Sequence, residues 1–202
     1  MKYGVILVAL LVLNSCGSSS DSGSKSASDI EAELLDAVFG TTGDAYKSWG
    51  SWKDTHTDLS VVKESLAPHG IAVRTFVNTV GKDAEASFTG ALPDGTIIVK
   101  ENFNVAATEV TGSTPIKNLT VMYKSAGFSA SQNDWYWLAA KSREVVAESG
   151  QVDFCTDCHA GVTGHKDYVL SFGFGDPAPI PSLSDICPGD GTDPNESILC
   201  DN

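Results

Sequence analysis

The spacing of apolar residues changes period along this chain. Ile30, Leu34 and Val38 recur at helical spacing within DIEAELLDAVF, so residues 29–39 are predicted to form an amphipathic helix. Ser28 is placed to cap its start, Glu31 sits at the third helical position, and Gly40 stops it. Tyr46, Trp49 and Trp52 follow at i, i+3, i+6, predicting a short helix or turn over 45–53 with an aromatic side. From residue 71 the period is two. Ile71, Val73, Thr75 and Val77 share one side of a predicted strand 71–77. Leu92-Pro93-Asp94-Gly95 is a turn signal leading into TIIVKENF (96–103), the strongest strand pattern in the chain. LTVMYK (119–124) and WYWL (135–138) are further strands, with Gly127 and residues 131–134 as tight connections between antiparallel neighbours. Residues 152–161 predict a short helical turn. This order predicts an α+β fold, an antiparallel β-sheet with packed helices and a C-terminal Cys-x-x-Cys-His segment.

The ends have a different character. Lys2 precedes an uncharged apolar run, Val5 to Leu13, too short to span a bilayer as a mature helix but suited to a signal peptide. It closes on Leu13-Asn14-Ser15-Cys16, which resembles a bacterial lipobox with Cys16 as the lipidated residue. GSSSDSGSKSAS then has nothing to bury and reads as a flexible tether. The expected organisation is a signal peptide over 1–15, lipidated Cys16 and tether over 16–28, one domain over 29–174, and a Pro/Gly-rich tail over 175–202. The protein is therefore expected to be exported and held to a membrane through its N-terminal lipid. In a Gram-negative cell, Gly17 after the cysteine favours the outer membrane, facing the periplasm. The formal charge of −13 excludes attraction to nucleic acid and suits a small neutral molecule or a basic partner protein.

The chain has five cysteines, an odd number for an exported protein. They divide by context. Cys16 takes lipid, and Cys155 and Cys158 belong to Cys155-Thr156-Asp157-Cys158-His159. Cys187 and Cys200 remain, in the tail. A disulfide between them would stabilise by about 3 kcal/mol in the chain-entropy view; the alternatives are two free thiols or pairing with another chain.

The spacing C-x-x-C-H lets two thiols reach the two vinyl groups of a haem while the next imidazole reaches the iron. One such motif means one covalently bound haem c, with His159 as the proximal ligand. Two other readings use the same residues: half of a zinc site completed by His165 and a tail cysteine, or a redox disulfide. Zinc needs four ligands close together, and no βαβ pattern surrounds the pair as a thioredoxin-like site would require. About 150 residues precede the motif, and they do not read as the helical bundle of a small electron carrier.

Three stretches, LPDGTIIVKENF (92–103), LTVMYKSAGFSASQNDWYW (119–137) and CTDCHAGVTGHKDYVLSF (155–172), together resemble the cytochrome P-460 family, relatives of the β-sheet form of cytochrome c-prime. The resemblance covers roughly residues 65–174. It implies a single haem c on a β-rich domain, a distal face open to small nitrogen oxides or hydroxylamine, a redox partner protein, and often a homodimer. It also implies that Lys100, in the G-T-hydrophobic-hydrophobic-V-K-E stretch, is joined covalently to the haem ring. On an alternating strand Lys100 shares a face with Ile98 and Asn102, while Ile97, Val99 and Glu101 take the other. A lysine facing an apolar pocket would be desolvated and nucleophilic; the alternative is an ordinary amine in water or on a carboxylate. The family's enzymes use a distal carboxylate to move protons, but the stretch expected to carry it reads Val121-Met122-Tyr123-Lys124. Haem-dependent oxidation of hydroxylamine or NO is thus one expectation. An electron-transfer cytochrome with both axial positions filled, or a gas-binding haem module without turnover, are the others.

Among the remaining residues, Met122 is expected in the core, with axial ligation as its other role. His56, His69 and His165 are expected in solvated or capping roles. Phe76, Phe88, Phe103 and Phe128 are candidates for the wall of a distal pocket, and Trp135, Tyr136 and Trp137 for core and haem packing.

Overall fold

Side chains alternate across a strand, so the register of the central strands decides which residues share a face. The computed structural model describes residues 25–41, 43–49, 62–65, 68–161 and 166–169. In it, β1 (Lys63–Glu64), β2 (Ala72–Val77), β3 (Ile97–Phe103), β4 (Asn118–Lys124), β5 (Trp135–Lys141) and β6 (Glu144–Val145) form one six-stranded sheet. Neighbours in sequence are neighbours in space, and every pairing is antiparallel. Three α-helices accompany it, α1 (Ala27–Phe39), α2 (Thr79–Asp83) and α3 (Asp153–Gly161). This is the α+β arrangement the sequence predicts.

Pairing aligns Val77, Ile98, Met122 and Trp137 in one cross-strand row, and Thr75, Lys100, Thr120 and Ala139 in the next row of the same face. The opposite face carries Phe76, Val99, Val121 and Leu138, where α1 lays down Ile30, Leu34, Val38 and Phe39 to form the main core. The apolar stripe of α1 is thus the reason this face is dry. The second face is covered around Val77, Ile98, Met122, Trp135 and Trp137 by Val152, Cys155 and Val169.

Two details at the start of α1 depart from the expectations, and the aromatic segment after it takes the turn form of the two forms predicted. The N-cap of α1 is Ser26, not Ser28: its hydroxyl accepts from the Asp29 N–H at 3.2 Å, so the helix reaches two residues into the stretch read as tether. Glu31 does not turn back to the helix start, because its carboxylate accepts from the hydroxyls of Tyr136 (3.2 Å) and Ser149 (2.6 Å). The second aromatic segment is a 3₁₀ turn, Ala45–Ser48, that buries Tyr46 edge-on against Phe76, ring centres 5.2 Å apart. Trp52 lies outside the described residues.

The connection into β2 is held tightly. Gly70 has φ +95°, and a Cβ there would stand 2.5 Å from the Phe103 carbonyl oxygen, so glycine alone lets this turn press against the end of β3. That close approach carries the preceding residue, His69, over the second face of the sheet.

Candidate functional site

Helix α3 carries Cys155, Cys158 and His159 on three consecutive lattice points of one helical side, because positions i, i+3 and i+4 are neighbours on a helix. The helix lies over the second face of the sheet and forms with it a partly open cavity of about 50 Å³. Cys155, Cys158, His159, Lys100, Met122 and Trp137 all line it. The residues the sequence singled out, from elements more than 50 positions apart, therefore meet in one place.

His159 is 4% exposed and is oriented from behind. Its Nδ1 lies 2.7 Å from the Tyr168 carbonyl oxygen. A carbonyl only accepts, so Nδ1 carries the hydrogen and Nε2 is the nitrogen with a lone pair for a metal. Trp137 sets the ring from the side, edge to face at 4.9 Å.

The Tyr168 carbonyl owes its position to a buried anchor that sequence reasoning missed. Asp167 and Tyr168 both have positive φ, +51° and +65°, which neither residue adopts without compensation. Both carboxylate oxygens of Asp167 sit 3.0 Å from Lys124 Nζ. The carboxylate also accepts from the Leu92 N–H at 2.6 Å and from the Asn133 side-chain amide, while the Asp167 carbonyl accepts from Trp135 Nε1 at 2.9 Å. Lys124 further donates to the Asn133 carbonyl at 2.6 Å and lies 5.0 Å from the Trp135 ring centre. The Asp-Tyr-Val triplet after the haem motif is thereby given a physical reason.

Lys100 lines the cavity and shares its sheet face with Ile98, the companion its strand parity gives it. Burial lowers its pKa to about 8, against the opposing pull of the two thiols. Burial likewise pushes the Cys155 thiol up to about 11 and the Cys158 thiol upward. All three shifts run toward the neutral form, the signature of a low-dielectric interior.

His69 lines the same cavity and not the solvated surface expected of it. Its Nδ1 is 3.0 Å from Thr120 Oγ1, and its ring centre is 6.0 Å from that of His159, the planes at 81°. Burial holds its pKa well below the ordinary imidazole range. None of the four phenylalanines named as candidates for a distal wall lines the cavity; Phe76 belongs to the opposite face, and Phe154 of α3 is there instead. Met122 is 5% exposed, part of the core as expected, yet with an edge on the cavity. Glu101 faces away, as predicted, and among the described residues the carboxylate on the cavity is that of the exposed Glu148.

Cys155 and Cys158 are free thiols, and among the described residues no group of three or more His, Cys, Asp or Glu could hold a metal ion by itself. Cys16, Cys187, Cys200, His56 and His165 lie outside the described residues. The residues present fit a haem. The lining is mostly apolar, the thiols and an oriented imidazole share one helix face, and the buried Nε1–H of Trp137 finds no acceptor among the described residues. No curated protein matches the chain. The sequence model of the Cytochrome P460 family matches residues 44–171, well over half of it and spanning every strand and the Cys-x-x-Cys-His helix. The chain belongs to the Cytochrome P460 family, and with it to the haem-binding cytochromes.

Proposed function

We propose that this chain is an exported mono-haem c cytochrome that binds small nitrogen compounds, NO or hydroxylamine, at an iron held by His159. The observation that carries this reading is the oriented imidazole: His159 Nδ1 is committed to the Tyr168 carbonyl at 2.7 Å, on the helix whose two thiols line the same cavity. Bound haem supplies a redox-active iron with an exchangeable coordination position. Cys155 and Cys158 hold the ring by thioether bonds, each thiol hydrogen passing to the vinyl carbon beside the new S–C bond, so attachment needs no oxidant. The apolar lining favours a small neutral ligand over water. Oxidation of hydroxylamine would also need a proton acceptor beside the ligand and a redox partner protein to take electrons. The exposed Glu148 is a weak substitute for a buried carboxylate, so binding is the primary activity and turnover the secondary one. The apolar N-terminal run and Cys16 support export, a lipid anchor and an outer-membrane place facing the periplasm; the family resemblance supports a homodimer.

Protein made with a c-type maturation system is expected to carry one haem in its intact mass and to change its optical spectrum with NO and CO. The Cys155→Ala, Cys158→Ala double variant should lose the covalent mass. A parent protein without covalent haem, made beside a control cytochrome that matures, would refute the reading.

Lys100 is within the cavity and partly neutral near pH 8. A nitrogen–carbon bond to the ring releases two electrons and two protons, and so takes an oxidant of the peroxide class. The spectrum of peroxide-treated parent against Lys100→Arg reads this directly. A red-shifted Soret band lost in the variant marks the bond, and identical spectra mark Lys100 as a pocket amine alone.

A further inference from the structure

His69 is a second imidazole in the cavity to which haem attachment assigns no task. It has the features that mark His159 as a ligand. One ring nitrogen is tied back, here to Thr120 Oγ1 at 3.0 Å, and that hydroxyl is itself within 3.3 Å of the Asn102 side-chain amide. Such outer partners fix ring orientation in metal-binding histidines.

The placement is specific as well. His159 approaches the sheet at the row of Met122 and Trp137, through its edge contact with Trp137. His69 approaches at the next row, that of Lys100, Thr120 and Ala139. Successive same-face rows are about 6.6 Å apart along a strand. The measured separation of the two rings is 6.0 Å. Two imidazoles that each coordinate one metal at about 2 Å per nitrogen hold their ring centres roughly 6 Å apart. A histidine that only donated a hydrogen bond to a ligand on the iron would stand farther off by the size of that ligand.

We infer that His69 is the sixth ligand of the iron in the resting protein, on the side opposite His159, and that a small ligand gains the iron by displacing it. The inference rests on the proposal that His159 holds the haem iron. His69 stands in a turn and not on a helix or strand, so its withdrawal leaves the sheet pairing intact.

Electron paramagnetic resonance and optical spectra of the ferric, haem-loaded protein test this. The parent is expected to be low-spin with two nitrogen ligands. His69→Ala, and the bulkier His69→Phe, are expected to be high-spin at unchanged haem content and unchanged far-ultraviolet circular dichroism. Added imidazole should return the alanine variant to low spin. CO should bind the reduced alanine variant roughly tenfold faster or more than the parent, because the competing ligand is gone. A high-spin parent overturns the inference, and so does a low-spin signal that survives in both His69 variants. A signal lost instead in Lys100→Met or Met122→Leu, with His69 intact, overturns it too. Failure of the underlying haem reading shows differently, as a parent whose intact mass carries no haem.

Discussion

Asp167→Ala is expected to destabilise the protein by about 3–5 kcal/mol, since it leaves a buried charge without its partner. Lys124 is 7% exposed, and among the described residues its ammonium keeps only the Asn133 carbonyl and the Trp135 face once the carboxylate is gone. The Leu92 N–H and the Asn133 amide lose their acceptor at the same time. The turn at 167–168 then has no compensation for two positive-φ residues, and the Tyr168 carbonyl is released from His159. Two readouts separate these consequences. Denaturant unfolding reports the lost stability. The reduction potential of the haem-loaded protein reports the lost hydrogen bond, because an imidazole without an acceptor at Nδ1 is a poorer electron donor to the iron. The potential should rise. Replacing the pair together, Asp167→Leu with Lys124→Met, should recover most of the stability, because no buried charge remains, but not the potential. A double variant as unstable as Asp167→Ala would show that the backbone turn, and not the ion pair, carries the energy.

This anchor also shows why the sequence disclosed the haem attachment and not its support. Cys155, Cys158 and His159 are read from local spacing on one helix, and Lys100 from a resemblance carried by one continuous strand, both of which need no tertiary information. The network of Asp167 joins residues 92, 124, 133 and 135 to a turn near residue 167, and only the folded sheet brings them together. His69 escaped for a related reason. Pro68-His69-Gly70 is a turn signal, and turn residues are usually solvated; its burial depends on Gly70 letting the turn close against Phe103. The short elements β1, α2 and β6 carry too few residues to show a period. By contrast α1, β3 and β4 are long enough to declare themselves, and their limits agree with the pattern to within two residues. The phenylalanine wall fails because parity within β2 puts Phe76 on the face of α1, a relation fixed by pairing with Val99.

Glu101 offers the converse test, a carboxylate that matters greatly to the fold and not at all to the iron. It is fully buried, with Tyr46 Oη donating to it at 2.8 Å and Arg74 Nε at 2.6 Å. The three residues come from the 3₁₀ turn, β2 and β3, so the cluster fastens the segment after α1 to the sheet. Glu101→Ala is expected to cost about 3–5 kcal/mol, as removal of one member of a buried charged pair does. Arg74 keeps part of its surface in water and stacks near Phe76 and Phe103, which places the loss toward the lower end. Glu101→Gln, which preserves shape and one acceptor, should lose less. Both variants, once folded and loaded, should show the parent's haem spectrum, ligand binding and pH profile, because Glu101 projects from β3 away from Lys100 and the cavity. A changed pH profile in Glu101→Gln would mean that protons cross the sheet, and the two faces would then have to be treated as one site. Adjacency in sequence to Lys100 is thus a poor guide to chemistry here. On a strand the immediate neighbour is the residue most surely excluded from the same pocket.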